Sequence, residues 1–191
     1  MNDWTTIKLT QARQVAELMG VDEDALPEAE LPVRQHYDQL RGIAGGGREA
    51  VGFIGHALPR MEGIAWAARL LDDESRRVDL PRRDRQALDH VLRWLGDPDD
   101  TRRRAARDAA ETAGDRSPER MLALAVFFSG GSMSQPDLPP VLPPPEASGR
   151  MAAGAVTLAG YRSGDADAFF DRALELAEAI AEQGMRAIQP A

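Results

Sequence analysis

The chain is expected to fold as a single all-α domain of about eight helices over residues 1–191, with a proline-rich loop packed across it. Three observations lead there. Strand signals are nearly absent: aromatic residues make up 5% of the chain, β-branched residues are scattered, and no run alternates apolar with polar positions. Apolar residues instead recur at helical spacing, punctuated by Gly, Pro and Asp where helices start and stop. Residues 121–128, MLALAVFF, are apolar without a break, so they have no face to give to water and belong at the centre of a helical core. At 191 residues the chain is long enough to bury such a core.

Taken in order, Thr10 caps a first helix that runs to Met19 and stops at Gly20. An acidic connector follows, with Glu17, Asp22, Glu23, Asp24, Glu28 and Glu30 and no basic residue between Gln14 and Val33. Pro32 opens a second helix to about Ile43, which Gly45-Gly46-Gly47 ends, closing an N-terminal part over 1–47. Residues 48–57 read as a third helix with Val51 and Ile54 inward. Pro59 opens a fourth carrying Ile64, Ala67, Ala68 and Leu71, the two being joined at Leu58 as a helical hairpin.

A charged loop is expected over 72–79, after which Pro81 opens a fifth helix whose Leu88, Val91, Leu92 and Leu95 make one apolar face. Gly96 ends it. Asp97-Pro98-Asp99-Asp100 supplies a cap, an early proline and first-turn acids for a sixth helix. Its inward face is alanine (Ala105, Ala106, Ala109, Ala110, Ala113). Outside, Asp99 with Arg103, Asp100 with Arg104 and Arg107 with Glu111 are spaced to pair. Ser117-Pro118-Glu119 caps the apolar central helix. Residues 150–161 form a second buried helix and 165–188 a long amphipathic one. Trp66, Trp94, Phe127, Phe128 and Phe170 are expected in the core.

Four stretches, LPRMEGIAWA at 58–67, LRWLGDPDDTRRRAARDAAE at 92–111, LALAVFFSGGSMSQPDLPPVLPPP at 122–145 and GRMAAGAVTLAG at 149–160, carry a resemblance. Over about 48–161 the chain resembles a bacterial family of uncharacterised helical proteins. The family pattern is roughly Pro-Arg-x-Glu-Ala-x-x-Trp, then Trp-Val-x-Asp-Pro-x-x-x-x-Arg-x-x-Ala, then Phe-Trp-Ser-Gly-Gly-Ser with a proline-rich segment and an alanine-rich helix. Gly63 and Phe128 depart from it, standing where the family has Ala and Trp. The resemblance implies an accessory, adaptor or chaperone role associated with type VI secretion loci.

Composition narrows the chemistry. Without cysteine there is no disulfide, thiolate nucleophile or cysteine-based metal site. A net charge of -8 with no basic stripe argues against a nucleic-acid partner. No signal peptide and no membrane-spanning run is apparent, so a cytoplasmic protein without membrane insertion is expected. No cofactor, metal ligand set or catalytic residue is expected either, and a non-enzymatic protein-interaction module is the leading reading.

Its expected partner surface combines an acidic stripe on the last helix (Asp171, Glu175, Glu178 and Glu182, at i, i+4, i+7 and i+11) with Leu138, Val141 and Leu142 of the proline-rich loop. The loop has PxxP spacing, but its interleaved apolar residues are expected to pack it back over the helices. The alternative is an enzyme or small-molecule binder with a cleft near Ser129 and Ser132, or near His56 and Glu62 with His90 approaching. Against it, Ser-Gly-Gly-Ser follows a helix, where exposed carbonyls have the wrong polarity for an anion. The histidine spacing also matches no ligand motif.

Overall fold

The structure is a computed structural model that describes residues 4–135 and 137–188. Among these residues it is all-helical: α1 (Ala12–Met19), α2 (Val33–Gly42), α3 (Gly47–Ala57), α4 (Arg60–Glu74), α5 (Arg82–Gly96), α6 (Asp100–Thr112), α7 (Pro118–Phe127), α8 (Ala147–Arg162) and α9 (Ala166–Gln183). Two 3-10 turns, Glu23–Ala25 and Gly184–Ala187, and an isolated bridge between Gln11 and Pro32 complete the regular structure. No described helix is long and apolar enough to cross a membrane.

Several boundaries move for identifiable reasons. Gln11, not Thr10, caps α1, because Gln14 Oε1 accepts from both the Thr10 and Gln11 N–H at 3.1 Å. Gly20, at φ 78°, ends that helix in the left-handed conformation glycine tolerates. The charged stretch 72–79 is helical as far as Glu74, since Arg69 to Asp73 (3.0 Å) and Arg76 to Asp72 (2.7 Å) are i, i+4 pairs on the outer face of α4. The last helix stops at Gln183, where Gly184 takes φ 63°, and a 3-10 turn continues to Ala187.

On α5 the buried stripe runs through Asp84, Ala87, Leu88, Val91 and Trp94. Leu92 therefore faces solvent, and the expected Leu88-Leu92 face is rotated toward Trp94. On α6 only Ala106, Ala110 and Ala113 are fully inward, and Arg103 joins them. Asp99 pairs with Arg102 instead of Arg103. Of the expected core aromatics Phe128 is only partly buried, while Tyr37, Phe53 and Phe169 enter the core.

The centre is α7 laid antiparallel on α8 and fastened at both ends. Ser148 Oγ donates to Ala125 O at 3.0 Å at one end. At the other, Arg162 donates to both oxygens of the fully buried Glu119, at 2.9 and 2.7 Å. Around this pair, α3, α4 and α9 pack on α8, while α4, α5 and α6 pack on α7. Glycines set the closest approaches. A Cβ on Gly55 would lie 2.7 Å from that of Ala153, and one on Gly160 2.3 Å from the Phe170 ring. Trp66 ties α4 to α9 by donating its indole N–H to Ala173 O at 2.8 Å.

Candidate interaction surface

The C-terminal end of α7 exposes carbonyls and the negative end of the helix dipole, which attract cations. Three arginines gather on that end and on the segment that leaves it. Arg103, only 4% exposed, donates Nη1 to Phe127 O at 2.7 Å and Nη2 to Ser132 O at 2.8 Å, while Asp100 Oδ1 accepts from its Nε and Nη2 at 2.9 and 2.6 Å. Its guanidinium also lies over the Phe127 ring, 5.0 Å from the centroid. Arg104 adds a bond to Ser132 O at 3.1 Å, and Arg60 reaches Ser129 O at 3.3 Å. Gly131 sits at φ 66°, and a Cβ there would stand only 3.0–3.2 Å from the Arg103 guanidinium. The two arginines on Asp100 hold its carboxyl below the usual range.

From this junction the proline-rich segment closes on itself. Met133 N–H donates to Val141 O at 2.7 Å, and Ser132 Oγ accepts from Val141 N–H and Ser134 N–H, both at 3.1 Å. Residues 133–141 thus form a compact loop whose ends meet. Pro136 lies outside the described residues. The expectation that the apolar side chains pack this loop onto the helices is corrected: Leu138 is 55%, Val141 51% and Leu142 72% exposed. Polar bonds at its base hold the loop, so those side chains are left for solvent.

A model of a family of unknown function, DUF6931, matches residues 43–181. The chain belongs to this family. Neither a curated protein nor a solved structure matches it. The DUF6931 region contains the whole junction and gives the motifs read from the sequence a physical meaning. In Asp97-Pro98-x-x-x-x-Arg103-x-x-Ala106 the arginine is the buried donor to the α7 exit, and in Pro59-Arg60-x-Glu62-x-x-x-Trp66 the arginine reaches Ser129. Two separated stretches therefore converge on the Ser-Gly-Gly-Ser of a third. Sequence reasoning missed Arg103 because it stands in a run of three arginines. The available signal was its register, i, i+3, i+7 and i+10 with Ala106, Ala110 and Ala113.

The acidic stripe of the DUF6931 chain divides. Glu178 accepts from the buried Tyr37 hydroxyl at 2.7 Å and pairs with Arg41, while Glu182 lies 4.0 Å from Arg34. Burial first, and the bond to Glu178 second, push the Tyr37 hydroxyl up, so it stays a donor. Two of the four acids therefore fasten α2 to α9, and the cationic partner sits within the chain. Asp171 and Glu175 remain exposed.

The alternative clusters do not assemble as imagined. Ser129 Oγ donates to Val126 O at 2.8 Å, and Ser132 Oγ serves the loop, so both hydroxyls are used structurally. His56 Nδ1 donates to Gly52 O at 2.8 Å. Its ring borders a small cavity of about 50 Å³ with Arg60, Glu146 and Gly149, which neither Glu62 nor His90 lines. Burial, more than any neighbour, holds His56 below its ordinary value. No three described His, Asp or Glu residues are grouped to hold a metal ion.

Proposed function

We propose that this chain is a protein-interaction adaptor that offers its closed proline-rich loop to a groove on a partner protein. The observation that carries the reading is the contrast between a loop base fastened by Arg103, Arg104 and Ser132 and the side chains of Leu138, Val141 and Leu142, which the segment leaves in water. Contiguous exposed apolar side chains mark interaction surfaces on soluble domains. Burying each of these three against a partner contributes about 1.5–3 kcal/mol before the cost of association is subtracted.

Prolines add pre-ordered backbone. Pro139, Pro140, Pro143, Pro144 and Pro145 fix their own φ near that of polyproline, and Pro140-Val-Leu-Pro143 keeps PxxP spacing. An extended segment of this kind suits a groove lined by aromatic side chains. Asp171 and Glu175 offer a second, acidic contact on α9. The role is an accessory or chaperone-like one, in the setting of type VI secretion implied by the resemblance.

The test is affinity capture from the source cell with the wild-type chain and with Leu138→Asp/Leu142→Asp, followed by mass spectrometry. Both positions are exposed, so the double variant keeps wild-type circular dichroism and thermal midpoint. A partner retained by wild type and lost at least tenfold by the variant supports the reading. Identical partner profiles for the two proteins overturn it.

A further inference from the structure

On another part of the molecule a cavity of about 410 Å³ opens between α1, the acidic connector, α2, α3 and α8. Its walls are apolar, from Met19, Val21, Pro27, Leu40 and Phe53, and its volume falls within the range that takes a ligand group. One polar atom in the wall is unserved: His36 Nδ1 is buried with no hydrogen-bond partner, its ring standing edge-on to Phe53 at 5.0 Å.

Gly52 lies in the middle of α3, where glycine costs roughly 0.8–1 kcal/mol relative to alanine. A Cβ there would meet only the Met19 methyl, at 3.7 Å. The space in front of Gly52 is therefore open, and the glycine keeps it so.

The connector that gives Val21, Ala25 and Pro27 to the wall carries charge of one sign. Asp22, Glu23, Asp24, Glu28 and Glu30 are all exposed, and among the described residues no side-chain hydrogen bond or ion pair engages their carboxylates. At the mouth, Arg48 is already paired with Glu49 at 2.7 Å. An occupant that satisfies both surfaces is apolar on the side that enters and cationic on the side that stays out.

We propose that this cavity receives a basic amphipathic segment of a protein partner, which inserts a large apolar side chain in front of Gly52 and sets lysines or arginines on the connector acids. This rests on the reading of the chain as an adaptor and gives it a second docking point. Thr157 of α8 lines the cavity, whereas the proline-rich loop rejoins the body at Ala147, roughly 15 Å of helix away. Two partners could thus be held at once.

The test titrates the full chain into a fluorescein-labelled Leu/Lys peptide of amphipathic helical pattern, read by anisotropy, with Leu/Glu and Ser/Lys peptides as comparisons. Both comparison peptides are expected to bind at least tenfold more weakly. Gly52→Leu fills the cavity and should weaken the Leu/Lys peptide at least tenfold, with a thermal midpoint no lower than wild type. Asp22→Lys/Asp24→Lys/Glu28→Lys, confined to the exposed connector, should weaken it as much and carries the test if Gly52→Leu fails to fold. Leu138→Asp/Leu142→Asp should leave this binding unchanged, so a failure here is distinct from a failure of the loop reading. Equal binding of the Ser/Lys peptide, or full binding by a folded Gly52→Leu, overturns the proposal. So does uptake of hexylamine by a chain that ignores the Leu/Lys peptide, which makes the cavity a small-molecule site.

Discussion

His56 illustrates how burial gives one side chain a measurable voice. Its Nδ1–H donates to Gly52 O, which favours the neutral ring donating from that nitrogen, and Nε2 is buried without a partner. Burial, with Arg150 nearby, outweighs the help that Gly52 O and Glu146 give the charged form, so the folded chain protonates His56 below its ordinary value. In the unfolded chain the ring titrates near ~6.5. Below that pH the unfolded state takes up a proton the folded state resists, so stability falls as pH drops from about 6.5 toward the folded value and is flat above. Urea midpoints at pH 7.5, 6.5 and 5.5 should show this decline in wild type and a shallower one in His56→Gln, with His36 and His90 common to both. An unchanged slope would remove His56 from the account.

Among the elements, the junction of α6, α7 and the exit loop depends on one guanidinium. Arg103→Met leaves the carbonyls of Phe127 and Ser132 without their buried donor and should cost about 2–4 kcal/mol. Urea denaturation measures it, and limited proteolysis should show faster cleavage within 132–145. Arg103→Lys keeps the charge but loses the fork and should fall between. Helices were legible wherever caps and apolar spacing agreed, as at Ser117-Pro118 and at Val51 with Ile54. They were less legible where a partner chooses the register. Leu92 and Val91 are equally apolar in the sequence, and only the position of α5 against α6 and α7 decides that Val91 is buried. Tyr37 and Glu178 are 141 positions apart, so no local pattern announces that one consumes the other.

At the scale of the whole molecule, the all-α class and the central place of α7 and α8 followed from hydrophobicity, because an unbroken apolar run has nowhere else to go. The surface did not follow. Leu138, Val141 and Leu142 are apolar yet exposed, since hydrogen bonds at the base of the loop, not burial of its tip, hold it in place. Replacing residues 135–140 with a Gly/Ser stretch of equal length, keeping Ser132, Met133 and Val141, should therefore lower the thermal midpoint by less than about 4 °C, or roughly 1 kcal/mol. That small loss reflects the freer unfolded chain. A calorimetric drop well beyond it would mean that the loop supports the core after all.

The first two helices and the connector between them lie ahead of the region shared with the family, which starts at residue 43. They supply Ala16, Met19, Val21, Ala25, Pro27, His36 and Leu40, more than half of the residues that line the cavity in front of Gly52, and the acids of the connector. A relative built from the shared region alone would present that flank of α3 as an open slope. The proline-rich loop lies wholly inside the matched region, whereas the cavity closes only with residues that stand ahead of it.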